Sequence, residues 1–365
     1  IALQTTDERT LEIIGRSNIS TERLLELARL LRRETMPVRA ELMLGLPGQT
    51  LESFTADLQL MFDEEIAPVT WVTLALPNAP MNAPAYRARW GLRLDDRGVV
   101  TETSSADESD RARMLRLRRA FLATDVYGTL RHVLRWMQQD LGIPAMEVIK
   151  DLCDTAETEP ERNLAVTWLV EGFDLHQLPP QGWRAFYEDI RTYLAEQYDV
   201  DPQDSALQCV LEVQRALMPW PGREFPVTIA LDHDFVDYHL DLVAPLYERQ
   251  VEGRQVAPLR SRPPGVLEVR GDPADLGTQG MDLVGNPRDL LGPSSYNFIY
   301  TAANELDSPL LRLLPEVERR FDGERLIGEI DMPMPIGSVG GAISTLPMAK
   351  LAMRLLRQPS AETLM

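Results

Sequence analysis

The segment Glu41–Phe54 constrains the fold more tightly than any other part of the chain: an apolar run, two glycines three positions apart, then an amphipathic stretch. Val38–Leu44 reads as a strand, Gly45–Thr50 as a tight turn and Leu51–Phe62 as a helix. Gly45 and Gly48 permit backbone angles and close approaches that a Cβ would block. The same alternation continues on either side. Ile1–Leu3 reads as the end of a strand, and Thr5 and Glu8 have capping-box spacing for a helix running through Ile14. Ser20 is placed to cap a second helix, in which Leu24, Leu27, Ala28 and Leu31 recur on one face. Val69–Leu76 is the next strand, followed by the proline-broken loop Pro77–Pro84. Strand and helix alternating at this interval predict right-handed βαβ units and a parallel sheet. Such sheets take ligands beyond the carboxyl ends of their strands, the end that backbone N–H groups after the Gly45–Gln49 turn would face. Alone, the turn reads equally well as a plain helix start after a buried strand.

The pattern then changes. Leu94–Asp110 is polar and acidic and reads as an exposed loop. From Arg111 to Leu217 the periodicity is helical, with Phe121, Tyr127, Trp136, Trp168, Trp183 and Phe186 read as core packing rather than a cofactor cage. Phe225–Leu231 is strand-like and leads into Asp232–His239, which collects hard and borderline metal ligands. On a strand, His233, Phe235, Asp237 and His239 share one face, and a His–carboxylate–His set binds zinc or iron when a further ligand joins it. The plainer alternative is a polar strand end with its histidines hydrogen-bonded to carboxylates, and no residue is assigned as a metal ligand. Glu252–Ser295, rich in Pro, Gly and Asp, reads as a meandering segment or linker. The last stretch returns to strand, glycine turn and helix. The chain thus divides at 1–95, 96–250, 251–320 and 321–365.

Charge argues against one class of partner. A formal net charge of −19 leaves no broad basic surface for nucleic acid. No uninterrupted apolar run approaches the roughly 18 residues of a membrane span. Cys153 and Cys209, far apart in helix-like surroundings, read as buried reduced thiols of a cytoplasmic protein; a disulfide between them is the alternative. A chain that begins at Ile1, inside a strand pattern, is expected to have residues upstream.

The ordered series Ile1–Asp7, Thr10–Arg16, Met43–Phe54, Leu74–Met81 and Tyr86–Leu92 resembles the fourth to sixth strands of the radical S-adenosylmethionine (SAM) partial barrel. It looks most like the cobalamin-associated branch, whose long helical extension is echoed by Met218–Gly222 and Phe225–Asp234. The resemblance implies an α/β fold: a partial parallel βα barrel, a mostly helical extension and a small strand–glycine loop–helix tail. It also implies SAM, a [4Fe–4S] cluster and cobalamin as cofactors of the full-length protein, with a small-molecule substrate. On that resemblance Gln4 faces SAM, Arg16 approaches its carboxylate, and the turn with Gly45, Pro47 and Gly48 borders the adenosyl group. Gln4 as a strand-end polar residue and Arg16 as a solvated helix charge are the alternatives. One departure matters for activity. The family holds its cluster on a Cys-x3-Cys-x2-Cys loop, and two distant cysteines supply neither the count nor the spacing. The chain by itself is therefore expected to hold none of these cofactors stoichiometrically and to be inactive.

A second resemblance covers the C-terminus. Asp322–Pro333 and Pro335–Ala342, with a helix over Leu346–Leu356, are similar to the glycine-rich signature of hydroxymethylglutaryl-CoA reductase. Gly337, Gly340 and Gly341 would expose consecutive N–H groups suited to an anion or to close backbone packing. Ile343 stands where that signature has Thr, and the family's catalytic side chains have no counterparts here. The functions left in play are part of a radical SAM enzyme, an NAD(P)H-dependent reductase relative, and a non-catalytic degenerate fragment. A sheet that begins at its fourth strand leaves an open edge. The chain is accordingly expected to aggregate, to dimerise through that edge or to borrow the helical region as cover; a compact monomer in size-exclusion chromatography that binds no apolar dye would count against this.

Overall fold

The computed structural model describes residues 1–17, 19–33, 38–173, 178–218, 224, 226–247 and 256–269. The expected linker beyond 269 and the glycine-rich tail with Gly337, Gly340 and Gly341 lie outside the described residues.

The opening segment is β1 (Ala2–Gln4), α1 (Glu8–Ile13), α2 (Thr21–Arg33), β2 (Arg39–Leu44), α3 (Leu51–Asp63) and β3 (Ala67–Val72). The three strands form a parallel sheet in the order β1-β2-β3, with Glu41 opposite Val69 and Leu44 opposite Val72. This is the α/β parallel arrangement expected. Along β2, buried Ala40, Leu42 and Leu44 alternate with the less buried Arg39, Glu41 and Met43. One sheet face therefore packs under Phe54, Leu58, Met61 and Phe62 of α3, and the other is only partly covered. α3 starts where Thr50 accepts from Ser53 N–H while the Ser53 hydroxyl accepts from Thr50 N–H, a reciprocal capping box. Arg29 of α2 grips Glu64 just past α3 with two N–H···O bonds of 2.9 and 3.3 Å.

Two local expectations are corrected here. The first helix is capped by Asp7, whose carboxylate accepts from Thr10 N–H, and not by Thr5. Thr5 is drawn away because its hydroxyl donates to Asp57 on α3. The polar stretch after residue 93 is no open loop. α4 (Pro84–Trp90) ends on left-handed Gly91, and β4 (Arg93–Leu94) pairs antiparallel with β5 (Val100–Glu102). Val99 and Val100 are buried, and Val100 N–H donates to Thr73 C=O, so the hairpin seals the end of β3.

The helical region comprises α5 (Glu108–Phe121), α6 (Arg131–Leu141), α7 (Ala145–Thr158), α8 (Leu164–Thr167), α9 (Gly182–Tyr198) and α10 (Ser205–Ala216), with π-turns at Leu122–Val126 and Trp168–Gly172. All six aromatics read as core are buried. Trp168, Trp183 and Phe186 meet edge-to-face at centroid distances of 5.5–6.1 Å, the arrangement that ring quadrupoles favour. Cys153 on α7 and Cys209 on α10 are free buried thiols. The sheet and these helices share one continuous core.

The Asp232–His239 reading is also corrected. Strand β6 (Val227–Leu231) stops before it, and α11 (Phe235–Tyr247) starts within it, Asp234 accepting from Asp237 N–H. A helix separates residues that strand alternation would have aligned. His233 hydrogen-bonds Ser205 Oγ at 2.8 Å and the Arg262 carbonyl at 3.0 Å. His239 instead faces His132 of α6, ring centroids 5.3 Å apart. Part of the expected linker is ordered too: β7 (Gly265–Val269) pairs antiparallel with β6, burying Leu267 and Val269. Arg262 ties this return to α11 through Asp237 and Asp241.

His239 generates a pH prediction. It is fully buried, and neither ring nitrogen has a hydrogen-bond partner among the described residues. Burial first, then Arg135 and Arg131, pull its pKa down to about 4 against an opposing pull from Glu65. A depressed histidine pKa means that the unfolded chain binds the proton more readily. The stability from neutral His239 is full above the ordinary imidazole value of 6.5 and is lost as pH falls from there towards 4. Urea unfolding across this window should show a slope roughly 1.4 kcal/mol per pH unit steeper than in His239→Phe. Parallel pH curves would refute the assignment.

Candidate functional site

All three parallel strands end on one edge of the sheet, and the residues at that edge are held by neighbouring crossovers. Gln4, the last residue of β1, has a left-handed φ of +65°, is 7% exposed, and its Oε1 is buried with no hydrogen-bond partner among the described residues. A non-glycine residue in this conformation is strained and calls for a reason. An orphaned amide oxygen at a strand end is an acceptor suited to a ligand's hydroxyl or amino group.

The Gly45–Gln49 turn lies at the end of the adjacent strand, fully buried. Gly45 and Gly48 both take positive φ, +85° and +94°. A Cβ on Gly48 would fall 2.5 Å from Ile13 Cδ1, so the turn packs directly onto α1, the helix that leaves β1. The amides of the turn itself find partners within the protein. Gln49 folds back so that its Oε1 accepts from Gly45 N–H at 2.8 Å and from Leu46 N–H at 3.3 Å, while its Nε2 donates to Met43 C=O. Gly48 N–H donates to Ser105 Oγ. These amides are satisfied internally, so the turn is not an anion nest. The third exit, Thr73, donates through both N–H and hydroxyl to Leu44 C=O. Across the mouth, Tyr86 of α4 donates to Ile13 C=O, bracing the post-β3 segment against α1. Arg16 lies past α1, exposed.

Sequence reasoning missed Asp57, the carboxylate that holds Thr5 and Thr6. It sits on the buried face of α3 between Phe54 and Leu58. A lone acid on an apolar stripe was the available signal.

The residues present do not fit an iron–sulfur cluster. Cluster ligands must be thiolates, whereas burial pushes the Cys153 and Cys209 thiols up to about 12. Among the described residues no group of three or more His, Cys, Asp or Glu is arranged to hold a metal ion. No described helix is long and apolar enough to cross a membrane.

Comparison with known proteins finds distant relatives. The chain is 25% identical over 205 residues to the cobalamin-dependent radical SAM methyltransferase TokK of Streptomyces tokunonensis, covering 54% of this chain and 26% of that protein. It is 33% identical over 113 residues to the 2-(S-pantetheinyl)-carbapenam-3-carboxylate methyltransferase of Streptantibioticus cattleyicolor, covering 30% of this chain and 16% of that protein. The similarity is distant and partial: it relates the chain to radical SAM methyltransferases. No family model matches.

Gly48 generates a stability prediction. Gly48→Ala should cost about 1–3 kcal/mol in chemical denaturation, because the added methyl meets Ile13 and φ stays left-handed. Trimming the neighbour in Gly48→Ala/Ile13→Val should recover only part of the loss, since the backbone strain persists. A neutral Gly48→Ala would show that the turn relaxes freely.

Proposed function

We propose that this chain supplies the SAM-binding mouth and the helical extension of a cobalamin-type radical SAM enzyme acting on a small molecule, with methyl transfer favoured over rearrangement. The observation that carries the reading is the buried, partnerless Gln4 Oε1 at the shared edge of three parallel strands. The partial similarity to two radical SAM methyltransferases supports it. When bound, SAM supplies the methyl or 5′-deoxyadenosyl unit of the family's chemistry. Gln4 accepts a hydrogen bond from the ligand, Gly45, Pro47 and Gly48 wall the adenosyl group, and Arg16 complements the ligand carboxylate. The cluster thiolates and the cobalamin site belong, in this reading, to other parts of the working enzyme. The chain alone does not cleave SAM reductively, and it works in the cytoplasm without nucleic-acid or membrane partners.

The test is calorimetric titration of the purified 365-residue chain with S-adenosylhomocysteine. The expected Kd is of the order of 100 μM, about −5.5 kcal/mol, too weak for ligand to survive purification. Gln4→Ala should weaken it at least tenfold. Absence of saturable binding, or equal binding by Gln4→Ala, would overturn the reading.

A further inference from the structure

Asp57 is a buried carboxylate beside the exit of β1. Its side chain is 1% exposed on α3, and its partners all come from the two residues after Gln4. Oδ2 accepts from Thr5 Oγ at 2.7 Å, and Oδ1 accepts from Thr6 N–H at 2.8 Å and from Thr6 Oγ at 2.6 Å. Burial pushes the Asp57 pKa up, while the Thr6 and Thr5 donors pull it back down. A buried acid is costly to keep, and an apolar residue would pack as well beside Phe54 and Leu58. What an apolar residue could not do is seize a backbone N–H and two hydroxyls on another element.

The clamp adjoins the strained residue. Gln4 is held on one side by parallel pairing opposite Leu42, with a register irregularity between Ala2 and Gln4. On the other side Thr5 and Thr6 are held by Asp57. A left-handed non-glycine persists only where its surroundings over-determine it. Without the clamp, the chain after Gln4 relaxes towards an ordinary extended φ, and the side chain turns away from the interior.

We propose that Asp57 is a positioning residue: by clamping Thr5 and Thr6 it holds Gln4 in its left-handed conformation and aims the amide oxygen at the ligand. This rests on the reading of the mouth as a SAM site. The test is a double-mutant cycle on S-adenosylhomocysteine affinity, using the 365-residue chain with Asp57→Asn, Gln4→Ala and the pair. Asparagine keeps the shape but offers one acceptor oxygen where three donors need two. Asp57→Asn should weaken binding about tenfold, and in the Gln4→Ala background it should change affinity less than twofold. A structural role alone would not produce that silence. Circular dichroism checks folding; if Asp57→Asn unfolds, Thr6→Val, which removes one donor and spares the acid, is read by the same rule. Losses that multiply independently, or wild-type affinity in a folded clamp variant, overturn the inference and leave the SAM reading standing. A wild-type chain that binds no S-adenosylhomocysteine overturns the SAM reading, and this inference with it.

Discussion

Parallel pairing of β2 with both neighbours is the constraint from which the rest follows. Parallel strands cannot be joined by a hairpin, so each exit must climb away through a helix before the chain returns. Three exits therefore gather on one edge, and the segments leaving them must pack together there. The contact of Gly48 with Ile13, the Tyr86 bond to Ile13 C=O and the Asp57 clamp are three solutions to the same crowding. In each, a segment following one strand is pinned to a segment belonging to another. The segments at this end come from different crossovers and are pinned to one another.

The helical region extends that pinning. α3 is the shared wall: its apolar side covers the sheet, and the same core runs on into α5, α6 and α7. Gln59 of α3 joins the two parts in polar terms as well, donating to Gln138 on α6 and accepting from Met146 N–H on α7. Arg135 of α6 adds its guanidinium over the Phe62 ring at 4.5 Å and a bond to Phe62 C=O. Displacing the helices would therefore move α3, and with α3 the acid that grips the end of β1.

Much of the sheet was legible in the sequence, because alternating apolar runs and glycine turns state the period directly. β2, its turn and α3 fall within a residue or so of where the pattern puts them. Errors arose where a side chain took a partner that the residue pattern did not announce. Thr5 had the spacing of a cap but found a buried carboxylate 52 positions away. Gln49 gave no hint that it would satisfy the turn's own amides. Asp232–His239 had the composition of a ligand strand, yet Asp234 starts a helix in its midst. The left-handed Gln4 was not legible at all, since nothing local asks a glutamine to adopt that angle. Its position was named through family likeness, and the two residues after it are held by a carboxylate on α3.

The β6–β7 pairing has a consequence for synthesis. β6 is made more than thirty positions before the strand that completes it, with α11 between them. As the chain leaves the ribosome, α10 and α11 emerge while one edge of β6 is still unpartnered. The Asp237 and Asp241 carboxylates likewise wait for Arg262. Closure of the helical half is thus a late event in the life of the nascent polypeptide, and a premature stop before Gly265 would strand it open.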